Sequence, residues 1–240
     1  MDIPKGISAS FLKWVAVVTM TIDHAAAAFF DTGILSHMNG DIAFGYGAET
    51  FRNVSTACHM IGRIAFPIFV FLLVEGFTHT RSVRKYGIRL LLMAIMSEIP
   101  FNLVLAGNLF YPDHQNVYFT LFIGLVCMYW ISRFGDNRAY ALVIMGGGML
   151  IAYLLKTDYS YFGVFAICLM YLLRHDSKEE AIVGGLIFFW EVTAVLAIPL
   201  MLCYDKTRGR QNKWFFYLYY PIHLTVVYLI AVLFIIPKLA

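Results

Sequence analysis

Apolar residues run through the 240-residue chain in blocks of helix-spanning length, separated by short polar stretches. Eight such blocks are predicted as spans, at 11–30, 58–77, 88–106, 117–131, 139–155, 159–173, 181–202 and 214–236. A full crossing takes about 20 residues, so the fourth, fifth and sixth are short. Period-two alternation is absent, which argues against a barrel, and hydrocarbon offers backbone polar groups no other partner than a helix. The predicted fold class is therefore an all-α polytopic membrane protein, with about eight transmembrane helices in one bundle. No repeat or linker divides the chain, so residues 1–240 are read as a single transmembrane domain.

Composition agrees. The chain is 60% hydrophobic and 14% charged, whereas a soluble domain is about one quarter charged. So few charges do not cover a soluble surface, and the lipid bilayer is the first expected partner. A net charge of +3, from 18 basic and 15 acidic residues, is too small and scattered for a nucleic-acid footprint. Cys58, Cys127, Cys168 and Cys203 lack metal-ligand spacing and read as free thiols, with no metal expected. The opening "MDIPKGISAS" precedes a first run without a clear cleavage site, so that run is read as a retained span.

Basic loops set the orientation. Arg81, Arg84 and Lys85, then Arg133 and Arg138, then Arg174 and Lys178, mark one side as cytoplasmic. The 31–57 loop, with Asp31, Asp41 and Glu49 against Arg52, and the 107–116 loop, with Asp113, fall opposite. The N-terminus is then inside. One loop disagrees: 203–213 holds Lys206, Arg208, Arg210 and Lys213, yet strict alternation puts it outside. Either a short segment fails to span, or the loop holds a phosphate or lipid headgroup.

Ionisable groups at membrane depth carry the functional signal. An unpaired charge there costs about 2.5–3.5 kcal/mol on insertion scales. Asp23 and His24 interrupt the first span in "MTIDHAAAAFF" and point about 100° apart on a helix, one toward the bundle centre and one sideways. Arg63, Glu98, Asn116, Asp158, Tyr220 and His223 follow on other segments, mostly in the same outer half, with Glu191 deeper in the seventh span. Together they predict one shared polar cavity. A histidine oriented by a carboxylate is a general base for an amine or hydroxyl attacking a thioester, with Arg or Asn donors for the oxyanion. The same groups serve a proton-coupled transporter equally well, and the residues alone leave both open. A non-enzymatic component of a conjugation or envelope complex is a third reading.

The strings "LKWVAVVTMTIDH", "IGRIAFPIFVFLLVEGFTHTRSVRKYGIRL", "SEIPFN", "QNVYFTL", "TDYSYFGV" and "KWFFYLYYPIHL" resemble the TraX family in order and spacing across nearly the full chain. TraX proteins are multi-pass bacterial inner-membrane proteins, and the founding member is associated with N-terminal acetylation of conjugative pilin. They are distantly similar to membrane acyltransferases that use acetyl-CoA on the cytoplasmic side. The resemblance implies acetyl-CoA as co-substrate and a peptide, pilin or glycan amine or hydroxyl as acceptor. It maps the family's Asp-His pair onto Asp23 and His24, its Gly-Arg onto Gly62 and Arg63, and its Ser-Glu-Ile-Pro onto Ser97 to Pro100. Gln115 and Asn116, Asp158 and Tyr159, and the Tyr-Pro-x-His of Tyr220, Pro221 and His223 complete it. The implied catalytic set is His24, as base or brief acyl carrier, Asp23 fixing its tautomer, Arg63, Glu98 and His223. Donor binding falls to Arg81, Arg84 and Lys85 at the phosphates, with Asn116, Asp158 and Tyr220. Two departures stand out: Asn102 replaces the family's usual aspartate, and its basic turn appears only as "DKTRGR".

Overall fold

The computed structural model describes residues 6–38, 40, 42–134, 137–175, 177–187, 192–210 and 212–239. Asp41 and Glu191 fall outside them. Polar caps start the helices where the sequence turns apolar. Ser8 accepts the Phe11 N–H (3.3 Å) at α1, Ala9–Ala26, and Ser82 accepts that of Lys85 (3.3 Å) at α4, Val83–Ala106. Helix α1 continues without a break into a π-helical stretch, Ala27–Leu35. A two-residue hairpin, β1 (Ile42–Ala43) with β2 (Tyr46–Gly47), leads into α2, Ala48–Gly62. After a turn at residues 63–64, α3 runs Ala65–His79. Pro67 explains that break, because its ring has no N–H for the Arg63 carbonyl four residues back. Helices α5 (Val117–Phe134), α6 (Arg138–Leu154) and α7 (Ser160–Leu173) follow. Then come α8 (Ser177–Leu186), a 3₁₀ turn (Val192–Leu196), α9 (Ala197–Leu202) and α10 (Lys213–Ile230).

The result is an all-α, multi-pass membrane bundle. Among the described residues, five stretches are long and apolar enough to cross a bilayer: Ala9–Leu35, Ala48–His79, Val83–Ala106, Val117–Phe134 and Trp214–Lys238. Arg138–Leu154, Ser160–Leu173 and Val192–Leu202 are apolar but shorter. Large apolar side chains cover the outer surface; Val143 of α6 is 71% exposed and Leu154 67%, which suits lipid and not water. Inside, Leu12, Ile68, Phe71, Leu125, Met128 and Ile167 are sealed. Gly124 of α5 abuts the Ile167 side chain of α7, so these helices approach closely.

The expected seventh span, 181–202, is corrected. The stretch from α8 to α9 begins at the end of the bundle where α7 stops. It ends at Cys203, whose carbonyl accepts the N–H of Ile7 (2.9 Å) just before α1. Both ends of the segment therefore lie on one face, and residues 188–191 within it are outside the described residues. The basic 203–210 segment joins Arg81, Arg84, Arg138 and Arg174 on a single basic face, and the conflict with the charge rule disappears. The 107–116 and 155–159 loops lie together on the opposite face, tied by Gln115 N–H to Lys156 O (2.9 Å) and Asp158 N–H to Gln115 O (2.8 Å).

Single cysteines placed at Arg84, Arg210 and Asp113 in a cysteine-free background check this. Arg84→Cys and Arg210→Cys should react with an impermeant maleimide from the same side, and Asp113→Cys from the other. Labelling of Arg84→Cys and Arg210→Cys from opposite sides contradicts the returning segment.

Candidate functional site

Helices α1 and α10 run side by side, and their polar residues meet in register. Thr21 Oγ1 lies 2.8 Å from Tyr219 Oη, and one turn on His24 Nδ1 lies 2.7 Å from His223 Nε2, the rings stacked 5.0 Å apart. His223 Nδ1 is 2.8 Å from the Tyr219 carbonyl, which only accepts, so Nδ1 carries a proton. In a neutral pair His223 Nε2 then holds a lone pair and accepts from His24 Nδ1–H. His24 Nε2 is left with its lone pair, the form a general base requires.

Among the described residues, Asp23 hydrogen-bonds to His59 and not to His24. Its Oδ1 accepts from His59 Nδ1 of α2 (2.9 Å), while His59 Nε2 donates to Asp31 Oδ2 (2.8 Å) and Ser55 Oγ donates to Asp31 Oδ1 (2.7 Å). Both His59 nitrogens face carboxylates, so the trio holds at least one proton beyond a neutral ring and two free carboxylates. Gly62 permits this approach: a methyl there would collide with the Asp23 carboxylate. The π-helical stretch permits it too. In an unbroken α-helix, eight residues overshoot two turns by about 80°. The wider π turn brings Asp31 back to the face that carries Asp23.

A third group sits where α4, α5 and the 155–159 loop meet. Asn116, fully buried, donates from Nδ2 to Glu98 Oε2 (2.6 Å) and to the Ala94 carbonyl (2.8 Å). Asp158 Oδ1 accepts from His114 Nε2 (3.3 Å), and Thr120 Oγ1 donates to the Asp158 carbonyl. Tyr220 joins the groups: its ring is edge-on to His24 (5.6 Å), His223 (5.5 Å) and Tyr118 (5.1 Å). It is 4% exposed, and its hydroxyl has no hydrogen-bond partner among the described residues.

A cavity of about 460 Å³ opens toward the basic face. Its mouth is lined by Lys13, Arg89, Lys206 and Arg208, and its inner end by Tyr118, Tyr219 and Tyr220. Tyr220 thus stands between this space and the histidine pair.

Among the expected site residues, His24, His223, Tyr220, Asp23, Glu98, Asn116 and Asp158 gather in these connected groups. Arg63 is half-buried at the α2–α3 turn, next to the glycine that touches Asp23. Arg81, Arg84 and Lys85, the residues expected at the donor phosphates, are exposed at the start of α4 and do not line the cavity. Charge near the inner end is not enough; the first turn of α4 turns those side chains outward. His59, Asp31, Ser55 and His114 were not singled out. Ser55 and His59 are spaced i, i+4, one polar face of a helix, and that was the available signal.

The fold and site define a polytopic membrane protein whose histidine pair lies beyond the inner end of a cavity open to its basic face. The chain belongs to the TraX family: the family described as TraX protein matches residues 8–231. It is 24% identical over 254 residues to the probable fimbrial assembly protein FimC, serogroup H1, of Dichelobacter nodosus, covering 92% of this chain and 94% of that one. No solved structure matches the chain.

His114 gives a test in pH. The hydrogen bond to Asp158 holds its pKa above the ordinary 6.5. The pair's stabilisation is fully present below pH 6.5 and is lost as pH rises through the raised value. The difference in Tm between the natural protein and His114→Asn should be constant at low pH and shrink as pH climbs. A difference that widens with pH contradicts the pairing.

Proposed function

We propose that the protein is a membrane-embedded acetyltransferase. It moves an acetyl group from acetyl-CoA to an amine or hydroxyl of a peptide, pilin or envelope glycan. The observation that carries this reading is the His24–His223 hydrogen bond, which leaves His24 Nε2 as a base beside the inner end of a cavity open to the basic face. The charge of that face supports reading it as cytoplasmic, with the N-terminus inside an inner membrane. The fimbrial assembly relative favours a pilin-type acceptor.

Acetyl-CoA supplies an activated acyl carbon. His24 Nε2 takes the proton from the attacking amine or hydroxyl as the new bond to the acyl carbon forms, and returns it to the departing thiolate as the C–S bond breaks. His223 positions the base by accepting from Nδ1–H. It is assigned the role expected for Asp23, which is committed to His59 instead. The Tyr220 hydroxyl, unpartnered and next to both rings, donates to the carbonyl oxygen as negative charge develops there. Glu98 and Asn116 brace the α4–α5 wall of the site, and Asp158, held by His114, closes the end beside them. Arg63, beside the Asp23 contact, serves the acceptor end.

Purified protein given labelled acetyl-CoA and an amine-bearing peptide should transfer label. His24→Ala should lower the rate by about 10²–10⁴, the usual worth of a general base. His223→Ala should lower kcat with little change in the KM for acetyl-CoA. Wild-type rates from His24→Ala contradict the assignment, and substrate movement through liposomes without acetyl-CoA would replace it with transport.

A further inference from the structure

The mouth of the cavity carries charge that the chemistry at His24 does not use. Lys13 of α1, Arg89 of α4, and Lys206 and Arg208 of the 203–210 segment line it, against a single carboxylate among the described residues, Glu75. Cations at a membrane edge ordinarily reach outward to headgroups; Arg81, Arg84 and Lys85 are exposed in that way. These four converge on a concave space from three separate stretches of chain.

That convergence is built. The 203–210 segment is fastened along the start of α1 by Asp205 N–H to Ile7 O (3.1 Å), Ala9 N–H to Thr207 O (2.9 Å) and Ser10 N–H to Arg208 O (3.2 Å). The Ser10 hydroxyl donates to Arg210 O (2.6 Å). Gly209, at φ +65°, turns where a side chain would run into Ser8. The Arg89 guanidinium lies over the rings of Tyr86 (6.0 Å) and Tyr217 (5.8 Å). Its Nε is buried with no hydrogen-bond partner among the described residues.

We infer that Lys13, Arg89, Lys206 and Arg208 form the binding site for the phosphate groups of the acyl donor. This rests on the acetyl-CoA reading above. Phosphates suit such a cluster because each adds negative charge and oxygen acceptors for Lys and Arg donors. Past the mouth the wall turns apolar, at Met20 and Leu121, and it ends at Tyr220. That order matches a ligand with a polyanionic head and a long neutral arm. From Lys13 to His24 is eleven residues along α1, about 16 Å at the helical rise. The arm covers this length, and the phosphates stay at the basic face.

Coenzyme A, which has the phosphates and the arm but no acyl group, is the probe, titrated calorimetrically into the full chain in detergent. The natural protein should bind it. Lys206→Glu with Arg208→Glu should weaken binding at least 10-fold, and Arg81→Glu with Arg84→Glu should leave it unchanged. Lys206 and Arg208 are exposed, so the fold should survive, as elution volume and Tm will show. Pantetheine, lacking the phosphates, should bind equally weakly to the natural protein and to the Lys206/Arg208 double variant. Equal coenzyme A affinity for the natural protein and that variant overturns the phosphate site and leaves transfer at His24 standing. No binding by the natural protein overturns both. Loss of binding in nanodiscs as phosphatidylglycerol increases assigns the cations to lipid headgroups and overturns the inference.

Discussion

The hydrogen bond between His24 and His223 sets how α1 packs within the bundle. At membrane depth a polar ring has no water to fall back on, so each must find its partner within the bundle. The 2.7 Å contact fixes the rotation of α1 against α10. Once that rotation is set, Asp23 points about 100° away and meets α2. Its bond to His59 positions α2, and the glycine at 62 lets the two helices close. The break before Pro67 then lets α3 turn back along α1 toward the basic face. One pairing in the membrane thus specifies how three chain segments lie.

The bundle is two-sided in charge. Its basic face opens into a cavity ringed by cations, and carboxylates cluster toward the other face, around the histidines. Tyr220 stands between. On the proposed reading, a donor with phosphates and an acceptor with an ammonium group would be drawn to different sides by the same field, to meet at the histidine pair. This division explains why the basic 203–210 segment is tied so firmly to the start of α1: it holds the charge at the mouth.

Much of this was legible in the sequence. Ionisable residues in apolar runs cost too much to be incidental, so Asp23, His24, Glu98 and His223 stood out, and the divergence of Asp23 from His24 followed from helical periodicity. Two things were hidden. Helix α2 reads as a loop because Arg52, Asn53, Ser55 and His59 lower its hydropathy, yet they belong to a long stretch that crosses with α3. The partners of Asp23 and Asp31 were lost with it. The segment 181–202 is apolar enough to resemble a span, and hydropathy does not record that the chain turns back. The disagreement of the basic 203–213 loop with alternation was the trace that it did. The four cations at the mouth come from three distant segments, which only the folded chain brings together.

The most direct test of the histidine pair is the protonation of its four ring nitrogens, read by ¹⁵N NMR on protein labelled at histidine and assigned with His24→Asn and His223→Asn. At neutral pH both Nδ1 atoms should carry hydrogen, with a coupling between His24 Nδ1 and His223 Nε2 across the shared proton, and His24 Nε2 should resonate as a bare, basic nitrogen. A His24 ring protonated at Nε2 with Nδ1 bare would contradict the base and remove the basis for acyl transfer at this site.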